Sequence, residues 1–354
     1  MTRAVVAVPA SLLTVAARVE DRLDVLLRSE TARWAELSPD LAPPLESLRR
    51  LVMDGGKRLR PAFCYWGYLA AGGDPSTDEI IDAGAAFEML QAFALVHDDV
   101  MDGSSTRRGA RTAHLEFDDR HAGASWRGEG RRFGEGVAIL IGDLAHVYAD
   151  QLLPRRSAAV QRVWDELRVE LNVGQYLDLL GTARGDTDHE SARRIARYKS
   201  GKYTIERPLH IGAALAGRLD ELEGPLSAYG DPLGEAFQLR DDLLGAFGDQ
   251  AVTGKPVGDD LREGKPTPLL AAATAAADAA QAGVLAEIGR ADLSPLEVAT
   301  IQRVFVDTGA VQAIESSITA LTAKALDAIA QADITDEARA ALVELAQFVA
   351  WRES

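Results

Sequence analysis

The chain has 354 residues, 47% hydrophobic and 26% charged, and its 38 basic against 54 acidic side chains give a net charge of −16. That is the composition of a globule with ample core, and its acidity speaks against a nucleic-acid partner, because phosphate backbones attract basic surfaces. The single cysteine, Cys64, excludes an intrachain disulfide and fits a reducing compartment. The opening MTRAVVAVPASLL makes a poor signal peptide, and no stretch reads as a transmembrane segment of roughly twenty apolar residues, so a cytoplasmic location is expected.

Apolar residues recur with the helical period and alternating β-branched runs are scarce, which predicts an all-α fold. In chain order, helices are expected over 11–36, 45–53, 60–72 and 77–102, the last closed by Gly103. Residues 118–136, DDRHAGASWRGEGRRFGEG, carry glycines and mixed charge and read as a long loop. Further helices are expected over 135–153, 156–181, 190–200, 203–217 and 225–247. A polar segment follows over 250–265, then helices over 266–282, 294–307, 311–332 and 335–350. With neither repeat nor linker, one domain spans 1–354, in which 271–354 is an alanine-rich helical part without evident chemistry.

The helix over 77–102 ends in LVHDDVMDGSSTRRG (Leu95–Gly109). Asp98 and Asp102 are spaced i and i+4, one above the other, with Asp99 about 100° round the helix. Such a cluster suits a hard divalent cation, and Mg²⁺ is typically held by one or two carboxylates together with phosphate oxygens, which implies a phosphorylated ligand. Arg107 and Arg108 follow with the counter-charge that ligand needs. Gln91, Ala94, Asp98 and Asp102 share a stripe, whereas a merely solvated acidic end would not have flanks as apolar as Phe87, Phe93, Leu95 and Val96.

A second motif, FQLRDDLLGAFGD (Phe237–Asp249), places Asp241 and Asp242 one turn after Gln238. Gly245 stands where a third carboxylate would complete the spacing, and Asp249 lies about 12 Å farther along a continued helix. A third cluster, GGKRLRP (Gly55–Pro61), offers Lys57 as a point charge and Arg60 as a fork for phosphate. It serves equally well as a basic turn between helices and lacks the spacing of a nucleotide P-loop. His97 beside Asp98 also matches the core of HD-type metal phosphohydrolases. The remaining histidines, His114, His121, His146, His189 and His210, show no paired spacing, so His97 is expected to pack or to support a ligand.

Taken in order, GGKRLRP, LVHDDVMDGSSTRRG, GQYLD (Gly174–Asp178), YKSGKYT (Tyr198–Thr204), FQLRDDLLGAFGD and TGKPVGDDLREGK resemble the trans-isoprenyl diphosphate synthases over 45–270. The resemblance implies an isoprenoid synthase-type helical bundle around a central cavity, and head-to-tail condensation of isopentenyl diphosphate with an allylic diphosphate in an all-helical homodimer, with three Mg²⁺ per active site. Asp98, Asp99 and Asp102 would hold Mg²⁺ against the allylic diphosphate, and Asp241 and Asp242 a further Mg²⁺. Lys57, Arg60, Gln91 and Arg108 match the isopentenyl diphosphate site. Arg107, Lys199, Ser200, Gln238, Lys255 and Lys265 match the allylic diphosphate site, with Lys199 near the developing charge and the role of Asp260 open. Phe93 and Ala94, just before the first motif, match the positions that set product length. One bulky and one small residue resemble short-chain synthases making geranylgeranyl diphosphate, with farnesyl or longer products as the alternative. The missing carboxylate at Gly245 also fits a weakly active partner subunit of a heteromeric synthase. A class I terpene cyclase would need neither Lys57 nor Arg60.

Overall fold

The computed structural model describes residues 7–154, 157–185, 188–248 and 258–352. Helices dominate, as expected: α1 (Ala10–Leu37), α2 (Ala42–Met53), α3 (Leu59–Ala70), α4 (Glu79–Asp102), α5 (Ala113–Gly123), α6 (Gly130–Leu152), α7 (Ala158–Arg184) and α8 (His189–Ile195). A π-helical segment (Ala196–Glu206) leads into α9 (Arg207–Leu215), α10 (Leu219–Phe247), α11 (Asp259–Glu263), α12 (Pro268–Ala276), α13 (Ala279–Leu285), α14 (Pro295–Asp307), α15 (Ala310–Gln331) and α16 (Asp336–Trp351). The one sheet among the described residues is a hairpin of β1 (Thr106–Arg107) and β2 (Ala110–Arg111). Contacts divide the chain into two compact units, one of residues 12–65 and 75–155, the other of residues 1–11, 66–74 and 156–354.

In the first unit α4 is the centre. Its Phe87, Met89 and Leu90 are fully buried, as are Leu23 and Leu27 of α1 and Leu48 of α2. Gly84 lets α1 approach, since a β-carbon there would meet Val19 at 3.0 Å, and Arg22 donates to Asp82 at 2.6 Å across the same seam. By length and apolarity α4 is the one described helix that could cross a membrane, but 67% of its apolar window is buried inside the protein, which makes it a core helix.

The loop expected over 118–136 is instead mostly helix. α5 ends at Gly123, α6 starts at Gly130, and only a short connection separates them. His114, Phe117 and His121 are buried at helical spacing on α5, a stripe obscured by its polar surroundings. Gly134 of α6 is a packing contact rather than a break, for a β-carbon there would fall 2.0 Å from the His114 carbonyl oxygen. Trp126, Phe133 and His121 stack around the connection, with Trp126 and Phe133 centroids 5.2 Å apart.

In the second unit α10 is the centre, packed against the π segment, α9, α15 and α16. Leu239 and Leu243 share a buried core with Leu261 of α11, Leu269 of α12, Ile301 and Phe305 of α14, and Ile314 and Ile318 of α15. Arg240 pins these layers by donating to Glu315 at 2.8 and 2.9 Å and to the Ala350 carbonyl at 2.8 Å. The single helix expected over 266–282 breaks at Asp278, whose carboxylate forms a capping box with Gln281.

Candidate active site

The first aspartate motif sits at the end of a core helix. Gly103 takes the left-handed conformation, with φ of 65°, that closes α4. The chain then turns back through β1 and β2, whose two-residue turn places Arg108 and Gly109 at φ of 54° and 76°, the pairing that tightens a hairpin. This return brings Arg107 over the carboxylates: its Nε donates to Asp99 Oδ1 at 2.9 Å, and its Nη2 reaches the same oxygen and lies 3.6 Å from Asp98 Oδ2. Asp99 is buried at 3% exposure, so its charge is carried by that guanidinium. Arg107 and Arg108 line, with Asp99, Leu51, Val96 and Ile141, a small cavity of about 50 Å³.

The basic cluster converges in the same unit. Arg108 Nη1 donates to the Leu51 carbonyl at 2.6 Å, and its side chain closes on Gly56, where a β-carbon would lie 2.8 Å from Nη2. Burial lowers the Arg108 pKa; Glu88 opposes that fall, while Arg58, Arg107 and Arg60 add to it. Several guanidiniums held close enough to repel one another form a place that favours an anion. Lys57, Arg60 and Gln91 are half-buried in this unit. Arg58 has a structural role that sequence reasoning passed over. At φ of 54° it turns inward, donating to Glu88 at 2.5 Å, Glu20 at 3.0 Å and the Val52 carbonyl at 2.6 Å. It anchors the turn that carries Lys57 and leads into Arg60 on α3, and a run of basic residues carries no signal of which one faces in.

His97 is a packing histidine. Its Nε2 lies 3.0 Å from the Ile139 carbonyl, its ring meets Phe93 edge-on at 4.8 Å, and Gly142 gives it room, since a β-carbon there would lie 2.3 Å from the ring. Phe93 also stacks on His146, at 4.9 Å, so the bulky member of the Phe93 and Ala94 pair is wedged against α6.

The second unit holds the other group. Lys199 and Ser200 fall in the π segment, where helical hydrogen bonding is locally widened, a form common at functional sites. Lys199 Nζ lies 2.5 Å from Asp178 Oδ2, and Asp178 is buried at 6% exposure. Asp178, the last residue of GQYLD, thus fixes the lysine. Gln238 Nε2 donates to Asp242 Oδ1 at 2.8 Å and so orients the second motif. Asp241 Oδ1 accepts from Arg352 Nη2 at the end of α16. That arginine is stacked over Phe237 at 4.4 Å, and no pattern in the C-terminal sequence announces it. Lys265 Nζ pairs with Glu263 at 2.6 Å. Lys255 lies outside the described residues.

Asp242 shows what this group would hold. Its Oδ2 is buried without a hydrogen-bond partner among the described residues. Burial pushes its pKa up to about 8, Gln238 opposing the rise and the charges of Asp260 and Asp241 adding to it. A hard cation would satisfy that oxygen and restore the charge, so the residues fit a divalent metal. Among the described residues no three acidic, histidine or cysteine groups form a ready cage.

A family model described as polyprenyl synthetase matches residues 44–305. The chain belongs to the polyprenyl synthetase family. Its relatives include a geranylfarnesyl diphosphate synthase of Aeropyrum pernix, 31% identical over 83% of this chain and 89% of that protein. A (2E,6E)-farnesyl diphosphate synthase of Mycobacterium tuberculosis is 30% identical over 95% of this chain and 89% of that protein. Among solved structures, a geranylgeranyl pyrophosphate synthase of Corynebacterium glutamicum, complexed with isoprenyl diphosphate and magnesium, aligns with a TM-score of 0.92. It is 39% identical, over 96% of this chain and 99% of that one. As a member of the polyprenyl synthetase family this chain is a prenyltransferase, a trans-prenyl diphosphate synthase with the all-α isoprenoid synthase fold.

Proposed function

We propose that this prenyltransferase condenses isopentenyl diphosphate head to tail with an allylic diphosphate and releases geranylgeranyl diphosphate. The likeness to the C. glutamicum geranylgeranyl pyrophosphate synthase carries the reading of the product, at 39% identity over 96% of the chain. Ala94 beside a wedged Phe93 supports it, since one small and one bulky residue leave a tunnel of intermediate depth. The farnesyl and geranylfarnesyl synthases among the relatives make those products the competing outcomes.

Asp98, Asp99 and Asp102 would hold Mg²⁺ against the allylic diphosphate, and Asp241 and Asp242 a further ion, for three in all. When bound, Mg²⁺ disperses the charge of the departing pyrophosphate. Arg107, Lys199, Ser200, Gln238, Lys255 and Lys265 bind and orient the allylic diphosphate, and Lys57, Arg60, Gln91 and Arg108 the isopentenyl diphosphate. Arg107, which holds Asp99 in this structure, would be the guanidinium nearest a diphosphate bound at these carboxylates. Lys199, aimed by Asp178, stabilises charge at the breaking allylic bond. The packed helices exclude water, which would otherwise quench the cation to an alcohol. The enzyme works as a cytoplasmic homodimer.

Incubating the purified chain with Mg²⁺, isopentenyl diphosphate and dimethylallyl, geranyl or farnesyl diphosphate in turn, and separating the products, tests this reading. Geranylgeranyl diphosphate from all three starters is expected. Arrest at farnesyl diphosphate, or extension to geranylfarnesyl diphosphate, would reassign the product.

A further inference from the structure

The second aspartate motif stops one carboxylate short at Gly245, and the structure fills that place from another element. On α10, residue 245 stacks one turn beyond Asp241. A β-carbon built on Gly245 would lie 1.8 Å from Asp260 Oδ2 and 2.8 Å from Asp260 Cγ. No side chain at position 245 coexists with Asp260 in this pose, so the glycine is what admits the α11 carboxylate to the motif. Asp260 Oδ1 lies 3.7 Å from Lys265 Nζ, and the Asp260 carbonyl accepts from Gly264 and Lys265 backbone nitrogens at 3.1 and 3.3 Å, which fixes the end of α11.

Asp242 is the independent sign that a cation belongs here. It is 6% exposed, its Oδ2 lacks a hydrogen-bond partner among the described residues, and it lies within the field of Asp260. Two carboxylates that sense each other beside a buried site stay ionised together only with positive charge close by. Asp260 does not close a three-ligand cage with Asp241 and Asp242. Its reach is therefore to the water shell that Mg²⁺ retains.

We propose that Asp260 is the third carboxylate of the second motif, relocated from α10 to α11, and that it positions the hydrated divalent cation carried by Asp241 and Asp242. The inference rests on the reading of this motif as a metal and diphosphate site. Mn²⁺ binding to the whole chain, followed by electron paramagnetic resonance with inorganic pyrophosphate present, tests it without turnover. Asp260→Ala and the nearly isosteric Asp260→Asn should each weaken Mn²⁺ binding by roughly tenfold or more, the range for loss of an outer partner of a metal site. The double variant Gly245→Asp with Asp260→Gly, which returns the carboxylate to α10, should recover most of that loss. Asp260→Asn carries the test if truncation or exchange costs the fold, which circular dichroism reports. Unchanged Mn²⁺ affinity in folded Asp260→Asn would overturn the inference alone, as would an exchanged variant that folds yet binds no better than Asp260→Ala. A wild-type chain that binds no Mn²⁺ with pyrophosphate would overturn both the inference and the reading beneath it.

Discussion

Lys199 illustrates how a single side chain here is set by its neighbours. An ammonium 2.5 Å from the buried Asp178 carboxylate is held in one direction, and in the proposed reaction it would be a fixed positive point for a developing anion. Removing such a charge in Lys199→Ala should lower kcat by roughly a hundredfold or more, the magnitude seen when one preorganised stabilising donor is lost. Steady-state kinetics check this, with KM for isopentenyl diphosphate nearly unchanged. Phe93 gives a second expectation. Its ring is wedged between His97 and His146, at 4.8 and 4.9 Å, and truncation to alanine opens space beneath the first motif. Phe93→Ala should therefore lengthen the product by at least one isoprene unit, and unchanged product chromatography would reject a role in chain length. The candidate site positions were proposed from residue type and spacing, because carboxylates at i and i+4 have few other uses on an apolar helix. Arg58, Asp178 and Arg352 were not, because what makes each of them matter is a partner distant in sequence.

The π segment and its neighbours carry the most concentrated buried charge in the second unit. Arg207 donates to Glu170 at 2.7 Å and to Glu166 at 2.9 Å, Lys202 lies 2.9 Å from Glu206, and Ser227 bridges Glu206 at 2.7 Å to His210 at 3.2 Å. Breaking this network from one side is costly because the remaining charge stays buried; Glu170→Ala should cost about 3–5 kcal/mol in chemical denaturation. His210 adds a pH dependence. Burial lowers its pKa from 6.5 to about 4, Glu206 opposing and Arg207 adding to the fall. Between those values the unfolded chain holds a proton that the folded chain does not, so stability is whole above about 6.5 and is lost as the pH drops toward 4. The loss should approach roughly 3 kcal/mol across that window, and His210→Gln should flatten it. Helices with clean apolar periods were readable in advance. Three stretches depart from expectation for local reasons: Gly134 serves helix contact within 118–136, Ser200-Gly201 lies inside a widened helix rather than between two helices, and Asp278 caps a new helix within 266–282.

Across the whole molecule, the fold was legible because nearly every segment repeats the same helical period, and the function because six short motifs occur in one order. Product length was the least legible property, since it depends on the depth of a tunnel that two residues only partly describe. Membership of the polyprenyl synthetase family makes the chain a prenyltransferase, and retention of Lys57, Arg60, Arg107, Arg108 and Lys199 argues that it acts without a second type of subunit. The decisive measurement is turnover by the purified chain alone, supplied with saturating Mg²⁺, isopentenyl diphosphate and an allylic diphosphate, with pyrophosphate release and prenyl product followed together. The account predicts stoichiometric pyrophosphate and elongated prenyl diphosphate, both abolished by chelation of the metal. No product from the folded chain under those conditions would contradict it and would mark the protein as the inactive partner of another synthase.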